Sequence, residues 1–326
     1  VIENTNEMVV ETTPDSVYMG IPDVSHMRSY MTKYYTTAVK SLFRKHQLLI
    51  NKKFPRYHVD FSFSKEEQQN WFDLFHVKGT EHQTPFTYFT TSGTMVLMQL
   101  VGELGINFKN LRHLKSEITY NAKGVIPACE TTYSLQAELD DIVQLREDRV
   151  MIITKTMVYD DAMFLVNTNK DFFIILNLEP EYLQVLKSLK NFGRHDSREF
   201  QHLSHKETVI AYCPDDIEHR FSIDVPEDMG FQYGKISGDL NMVHTTRMAA
   251  KLFGHPKPFI QGLCTANYVL KSLIACGQGP LLNFTITFSQ PAFVGETIDI
   301  FCSNTAFEVC DSEKKVLAFG NWEKVT

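Results

Sequence analysis

The 326 residues carry 32 Lys and Arg against 39 Asp and Glu, a net charge of −7, and 43% of them are apolar. That deficit of positive charge excludes a general nucleic-acid binder, and no apolar run reaches the roughly 18 residues of a membrane span. The chain is long enough for one large domain or two of ordinary size. Its six cysteines, at 129, 213, 264, 276, 302 and 310, form no Cys-x-x-Cys pair. Reduced thiols in a cytoplasmic protein are therefore expected. The start, Val1-Ile-Glu-Asn4, has no basic segment leading into an apolar one, so no secretory signal is expected.

In chain order, residues 1–22 are polar with Pro14 and Pro22 and read as an extended arm. From Val24 to about Leu49, Met27, Met31, Tyr34, Ala38 and Leu42 recur at three- and four-residue spacing, which predicts an amphipathic helix. Residues 1–50 are thus an N-terminal arm and helix. Arg56 to Phe63 alternates as a strand does. The polar residues Ser64 to Asn70 precede Trp71 and Phe72, and Thr94 to Leu104 is apolar nearly all round, as a buried helix is. Strands are predicted at 114–120, 131–137, 150–159 and 172–178, with turns at Asp160-Asp161 and from Asn167 to Lys170. This region, 51–180, is one unit, and the polar stretch 181–210 reads as a linker. His202 and His205 within it could share a helix face, but no Cys or carboxylate partner is close in sequence, so no metal is expected.

The last unit, 211–326, has a strand at 220–225, a helical stripe through Leu263, Ala266, Val269, Leu270, Leu273 and Ile274, and strands at 283–288, 297–302 and 316–322. It repeats the order of the unit before it. Arg56-Tyr57 matches Arg220-Phe221, Pro85-Phe86 matches Pro258-Phe259, and Glu117 to Tyr120 matches Thr285 to Phe288. Such internal similarity predicts two copies of one α+β unit, a long buried helix wrapped by antiparallel strands. Arg to Pro spans 85 − 56 = 29 residues in the first copy and 258 − 220 = 38 in the second. The additional residues fall around Ser237 to His244, so the stretch is an addition to one copy.

That addition is also the chemically suggestive stretch. Tyr233-Gly-Lys-Ile-Ser-Gly-Asp-Leu-Asn-Met-Val-His244 sets the carboxylate of Asp239 and the imidazole of His244 five residues apart. Residues five apart do not share a helix face, so a working pair needs one of them in a turn and the other on a helix. Ser237-Gly238 supplies the turn, Asn241 is an N-cap candidate, and a helix is predicted from there to Gly254. Trp71, Asp73 and His76 in the first copy do not reproduce this spacing and read as structural.

The pattern Tyr-x-x-x-Ser-Gly-Asp-x-Asn-x-x-His, followed by Ala249, Ala250, Gly254 and Gly262, resembles that of the MaoC-like hydratases. These are the (R)-specific, type 2 enoyl-thioester hydratases and dehydratases of the hot-dog fold. Pro291 to Thr297 resembles the family's turn leading into a strand. The likeness covers about 105 residues of the C-terminal half directly, and the N-terminal half only as a degenerate copy. It implies a double hot-dog in which one half does the chemistry and the other helps to accommodate the acyl group. It also implies that Asp239 and His244 are catalytic and that the Gly262 N–H stabilises the thioester oxygen. Gln261, Asn241 and Ser237 are the neighbouring substrate-site candidates. No cofactor is implied beyond the coenzyme A or acyl carrier protein that bears the substrate. Arg247 and Lys251 are candidate contacts for the carrier's phosphates or for an acidic carrier protein, and a homodimer is a further expectation.

This chain departs from the family pattern twice. Met242 stands where the family has Pro, and Gln261 replaces the His before Gly262, which alters the surroundings of the thioester carbonyl. Two competing readings follow: a hot-dog acyl-thioesterase, and a non-catalytic acyl-binding subunit. The first normally places an acid on the long helix, and residues 263–276 carry none.

Overall fold

The computed structural model describes residues 10–13, 16–19, 56–62, 64–77, 104–120, 131–200, 217–277 and 281–324. The helix expected at 24–49 and all but the last residue of the one expected at 94–104 lie outside them. So do His202 and His205. Among the described residues twelve strands form a single sheet, ordered β1-β2-β3-β5-β6-β7-β4-β9-β12-β11-β10-β8. The first seven are β1 (Val10–Thr13), β2 (Ser16–Met19), β3 (Arg56–Phe61), β4 (Leu111–Tyr120), β5 (Tyr133–Arg146), β6 (Arg149–Tyr159) and β7 (Leu165–Ile175). The remaining five are β8 (His219–Asp224), β9 (Leu281–Phe288), β10 (Thr297–Cys302), β11 (Ala306–Asp311) and β12 (Val316–Lys324).

Outward from the central pair, β4-β7-β6-β5-β3 on one side mirrors β9-β12-β11-β10-β8 on the other. The duplication read from the sequence is therefore a topological one, two five-strand copies joined by the antiparallel seam of β4 and β9. Glu117 and Thr285, matched as equivalents in sequence, stand directly opposite each other across that seam. Arg56 and Arg220 occupy the two equivalent strands β3 and β8, and each reaches a carboxylate on the next strand, Glu138 at 2.7 Å and Asp299 at 2.9 Å. The arm adds β1 and β2, with β2 parallel to β3.

Ser64 starts helix α1 (Lys65–Phe75) with a capping box: its hydroxyl accepts from the Glu67 N–H while the Glu67 carboxylate accepts from the Ser64 N–H. The segment read as merely polar is thus helical, and the Ser-x-x-Glu spacing was its signal. Helix α2 (Pro180–Lys187) lies in the stretch expected to be linker and buries Tyr182, Leu183 and Leu186. In the second copy the helices are α3 (Met229–Ser237), α4 (Met242–Thr245), α5 (Arg247–Leu252) and α6 (Gly262–Ala275). α6 is the long buried helix, with Cys264, Ala266, Val269, Leu270 and Leu273 all buried. α1 and α3 begin at matching distances from their Arg residues, 65 − 56 = 9 and 229 − 220 = 9. They pack together through Trp71 and Phe75 against Tyr233, at ring distances of 5.6 and 6.2 Å.

Two expectations about local structure change. The helix predicted from Asn241 to Gly254 is two helices, because Thr246 is extended (φ −132°, ψ 135°) and its hydroxyl caps the second by accepting from Ala249 N–H. Asn167 to Lys170 is not a turn but the middle of β7. Its polar residues misled because Asn167 and Asn169, buried to 1% exposure, face the interior of the protein. Asp160 does hold a turn, accepting from the Ala162 and Phe164 N–H groups.

Candidate active site

α3 ends at Gly238, whose left-handed φ of 76° turns the backbone away from the helix. A side chain there would be strained, which is why Gly suits the position. The Asp239 N–H donates to Ser237 Oγ at 3.2 Å, and Asp239 Oδ1 accepts from Asn241 N–H at 3.2 Å. Asn241 caps α4, its side chain accepting from Val243 N–H at 3.4 Å. Met242 is the first residue of that helix and 40% exposed. A Pro at this position would remove an N–H that has no intrahelical acceptor anyway, so Met costs no hydrogen bond.

These turns bring Asp239 and His244 together. His244 Nε2 lies 4.0 Å from Asp239 Oδ2, with the side chains 11% and 24% exposed. The other ring nitrogen, Nδ1, is 2.8 Å from the Phe259 carbonyl. A carbonyl only accepts, so Nδ1 carries the proton and Nε2 presents a lone pair towards the carboxylate. Burial pushes the imidazole below its ordinary value of 6.5, opposed by the Asp239 charge and the Phe259 carbonyl. The result at neutral pH is two acceptors facing one another across a short gap. A water about 2.8 Å from both would fit there, with its two acceptors at about 90°.

The loop before α6 is tied to both members of the pair. Phe259 holds His244 through its carbonyl and by an edge-on ring contact at 4.8 Å. Gln261 Nε2 donates to the Asp239 carbonyl at 2.7 Å and to the Gly230 carbonyl at 3.0 Å. Its amide thus fastens the start of α3 and the Asp239 turn to the start of α6, and its Oε1 is buried without a partner among the described residues. Gly230 is pressed against the same turn, since a Cβ there would fall 2.1 Å from the His244 carbonyl oxygen. Gly262 follows as the first residue of α6, where its N–H has no intrahelical acceptor and the helix dipole favours negative charge. A Cβ at Gly262 would lie 3.0 Å from the Phe288 ring.

Sequence reasoning missed Phe259, Gly230 and Phe288, which act through backbone or packing and carry no chemical signature. It also missed His255, whose ring lies 4.6 Å from Phe259. His255 is pushed down first by burial and then by the charges of Arg112 and His244. Arg112 belongs to β4, so the N-terminal copy places a cation near the site. Its guanidinium donates to the Lys109 and Leu111 carbonyls. Arg247 and Lys251 are both exposed on α5, and neither forms an ion pair among the described residues. Among those residues no cluster of three or more His, Cys, Asp or Glu could hold a metal, and Cys264, Cys276, Cys302 and Cys310 are free thiols. No helix among them is long and apolar enough to cross a membrane.

The chain resembles known proteins both in sequence and in fold. The sequence profile of the MaoC like domain matches residues 212–321. Over 83 residues the chain is 40% identical to 3-hydroxyacyl-thioester dehydratase Y of Mycobacterium tuberculosis, covering 23% of this chain and 28% of that protein. Over 68 residues it is 38% identical to peroxisomal enoyl-CoA hydratase 2 of Arabidopsis thaliana, covering 20% of this chain and 22% of that protein. The matches therefore span about a quarter of the length of these curated relatives. A MaoC-like dehydratase structure from Phytophthora capsici superposes with a TM-score of 0.63 at 13% identity, covering 85% of this chain and 97% of that one. The fold is a double hot-dog, and residues 212–321 of its C-terminal copy match the MaoC like domain.

Proposed function

We propose that the protein reversibly adds water to 2-enoyl thioesters to give (R)-3-hydroxyacyl thioesters, with Asp239 and His244 as the catalytic pair. The observation that carries this reading is the 4.0 Å gap between His244 Nε2 and Asp239 Oδ2, two acceptors that a single water would bridge. In the hydration direction the pair takes one proton from that water as its oxygen bonds to C3. The electron pair of the C2–C3 double bond moves towards the thioester carbonyl, and the negative charge on its oxygen is met by the Gly262 N–H. Collapse of that enolate takes the proton back at C2, so the enzyme ends as it began. A neutral His244 suits the first step, because a protonated ring could not accept. A donor such as the Gly262 N–H typically lowers the barrier by about 3 kcal/mol. The names of the two sequence relatives, a 3-hydroxyacyl-thioester dehydratase and an enoyl-CoA hydratase, support this assignment.

The carrier is coenzyme A or acyl carrier protein, with Arg247 and Lys251 as the exposed cations available to its phosphates. The thioesterase alternative finds no support on α6, which carries no Asp or Glu. The test follows ultraviolet absorbance of crotonyl-CoA with the wild type, Asp239→Asn and His244→Ala. Removing a positioned acid or base should lower kcat by about 10²–10⁴-fold. Equal rates in all three proteins reject the assignment, and release of free thiol without a hydrated product favours the thioesterase.

A further inference from the structure

The inner face of the sheet changes character at the seam between the copies. Directly opposed residues of paired strands share a face. On the C-terminal side this face carries Phe288 opposite Ala318, Ile286 opposite Gly320 and Phe284 opposite Trp322. Across the seam Ile286 stands opposite Ser116, and Phe284 opposite Ile118. Beyond it the rows turn polar: Ser116, Asp171 and Thr154 in one, Ile118, Asn169 and Thr156 in the next, with Asn167 further along β7. All six polar residues are buried, at 0–2% exposure. Asp171 Oδ1 accepts from Ser116 Oγ at 2.6 Å and pairs with His113 Nε2 at 2.9 Å, while Oδ2 accepts from Asn169. Thr156 Oγ1, Asn167 Oδ1 and Asn169 Oδ1 have no hydrogen-bond partner among the described residues. The patch adjoins the site directly. The Phe288 ring that Gly262 faces lies 5.1 Å from the ring of His113, which Asp171 holds.

We infer that this polar wall of the N-terminal copy ends the acyl pocket, so that the enzyme acts on thioesters of short acyl groups such as crotonyl. The inference rests on the hydration reaction proposed above. A long alkyl group passing Phe288 into the N-terminal copy would lie against a buried carboxylate and the unpartnered carbonyl oxygens of two buried amides. It would shut three unpartnered polar atoms away from any water or donor, and apolar contact would compensate little. The wall cannot serve the carrier instead, because the carrier's tether must leave the pocket to solvent.

The test measures kcat/KM of the full chain for crotonyl-, 2-hexenoyl- and 2-dodecenoyl-CoA. A hydrocarbon-lined tunnel would raise kcat/KM by roughly fourfold per buried methylene. The wall predicts a fall of roughly tenfold or more from crotonyl to dodecenoyl. Replacing Thr156 and Asn169 together by Ala opens space and removes two of the unpartnered atoms. It should raise the dodecenoyl value relative to crotonyl while the crotonyl value stays within about twofold of wild type. A wild-type kcat/KM that rises through dodecenoyl overturns the inference and leaves the reaction standing, as does an unchanged ratio in a double variant that folds normally. Absence of turnover with all three substrates overturns the reaction and the inference together. If the double variant does not fold, the wild-type series decides alone.

Discussion

Gln261→Met tests whether residue 261 fastens the site or touches the substrate. Met has nearly the same volume, so the change removes hydrogen bonding with little change in packing. Two carbonyls, Gly230 and Asp239, lose the donors now at 3.0 and 2.7 Å. The Asp239 carbonyl is left unsatisfied at about 1–3 kcal/mol, while the Gly230 carbonyl keeps its acceptance within α3 and loses about 1 kcal/mol. Loss of the unpartnered Oε1 returns about 1–3 kcal/mol, leaving a net destabilisation of about 1 kcal/mol. At about 2.1 cal/mol/K per residue, 326 residues unfold with an entropy of about 0.7 kcal/mol/K, so Tm should fall by about 1.5 °C. Activity should suffer more than stability, because the Asp239 turn is no longer fixed to α6 and a shift of about 1 Å can cost about 10²-fold in rate. Thermal unfolding and crotonyl-CoA hydration on the same preparations give both numbers. Gln261→Glu sharpens the test, since a carboxylate would face two carbonyl oxygens with nothing to donate until it is protonated. It should be worse than Met at neutral pH and recover as pH falls. A Gln261→Met protein with wild-type Tm and kcat would refute the stapling role.

Three further outcomes are expected. Because burial holds the His244 pKa below 6.5, the unfolded chain binds the proton more readily than the folded one. The stability linked to this residue is therefore present above about pH 6.5 and lost as pH falls through the lowered folded value. kcat/KM should follow the same acid limb and level off above it, and a His244→Gln variant whose residual activity kept that limb would show that another group titrates. Asp239→Asn should cost little stability while lowering kcat about 10²-fold or more, so a large fall in Tm with kcat preserved would mark the carboxylate as structural. Gly262→Ala places a Cβ 3.0 Å from the partly buried Phe288 ring, so the ring must give by a few tenths of an ångström where the thioester oxygen would be held. A fall in kcat that Phe288→Leu partly restores is expected, and unchanged kinetics in Gly262→Ala would separate Phe288 from the site.

The sequence alone determined the features written in local spacing. Ser237, Gly238, Asp239, Asn241 and His244 lie within eight residues, so the turn, the cap and the pair follow from backbone geometry over a short span. The duplication was legible because equivalent residues, such as Arg56 and Arg220, recur in the same order along both copies. What depends on distant contacts could not be read. Gln261 gave no sign that its amide would reach back to Gly230 and Asp239, since 31 and 22 residues separate them along the chain. Asn167 to Lys170 has a turn's composition, and only pairing with β4 and β6 makes it the buried middle of a strand. The polar wall is likewise assembled from three strands, β4 contributing one residue, β6 two and β7 three, all of which look unremarkable along the chain. Tertiary structure decided those points because hydrogen-bond partners and burial belong to positions in space, and neighbours in space here are seldom neighbours in sequence.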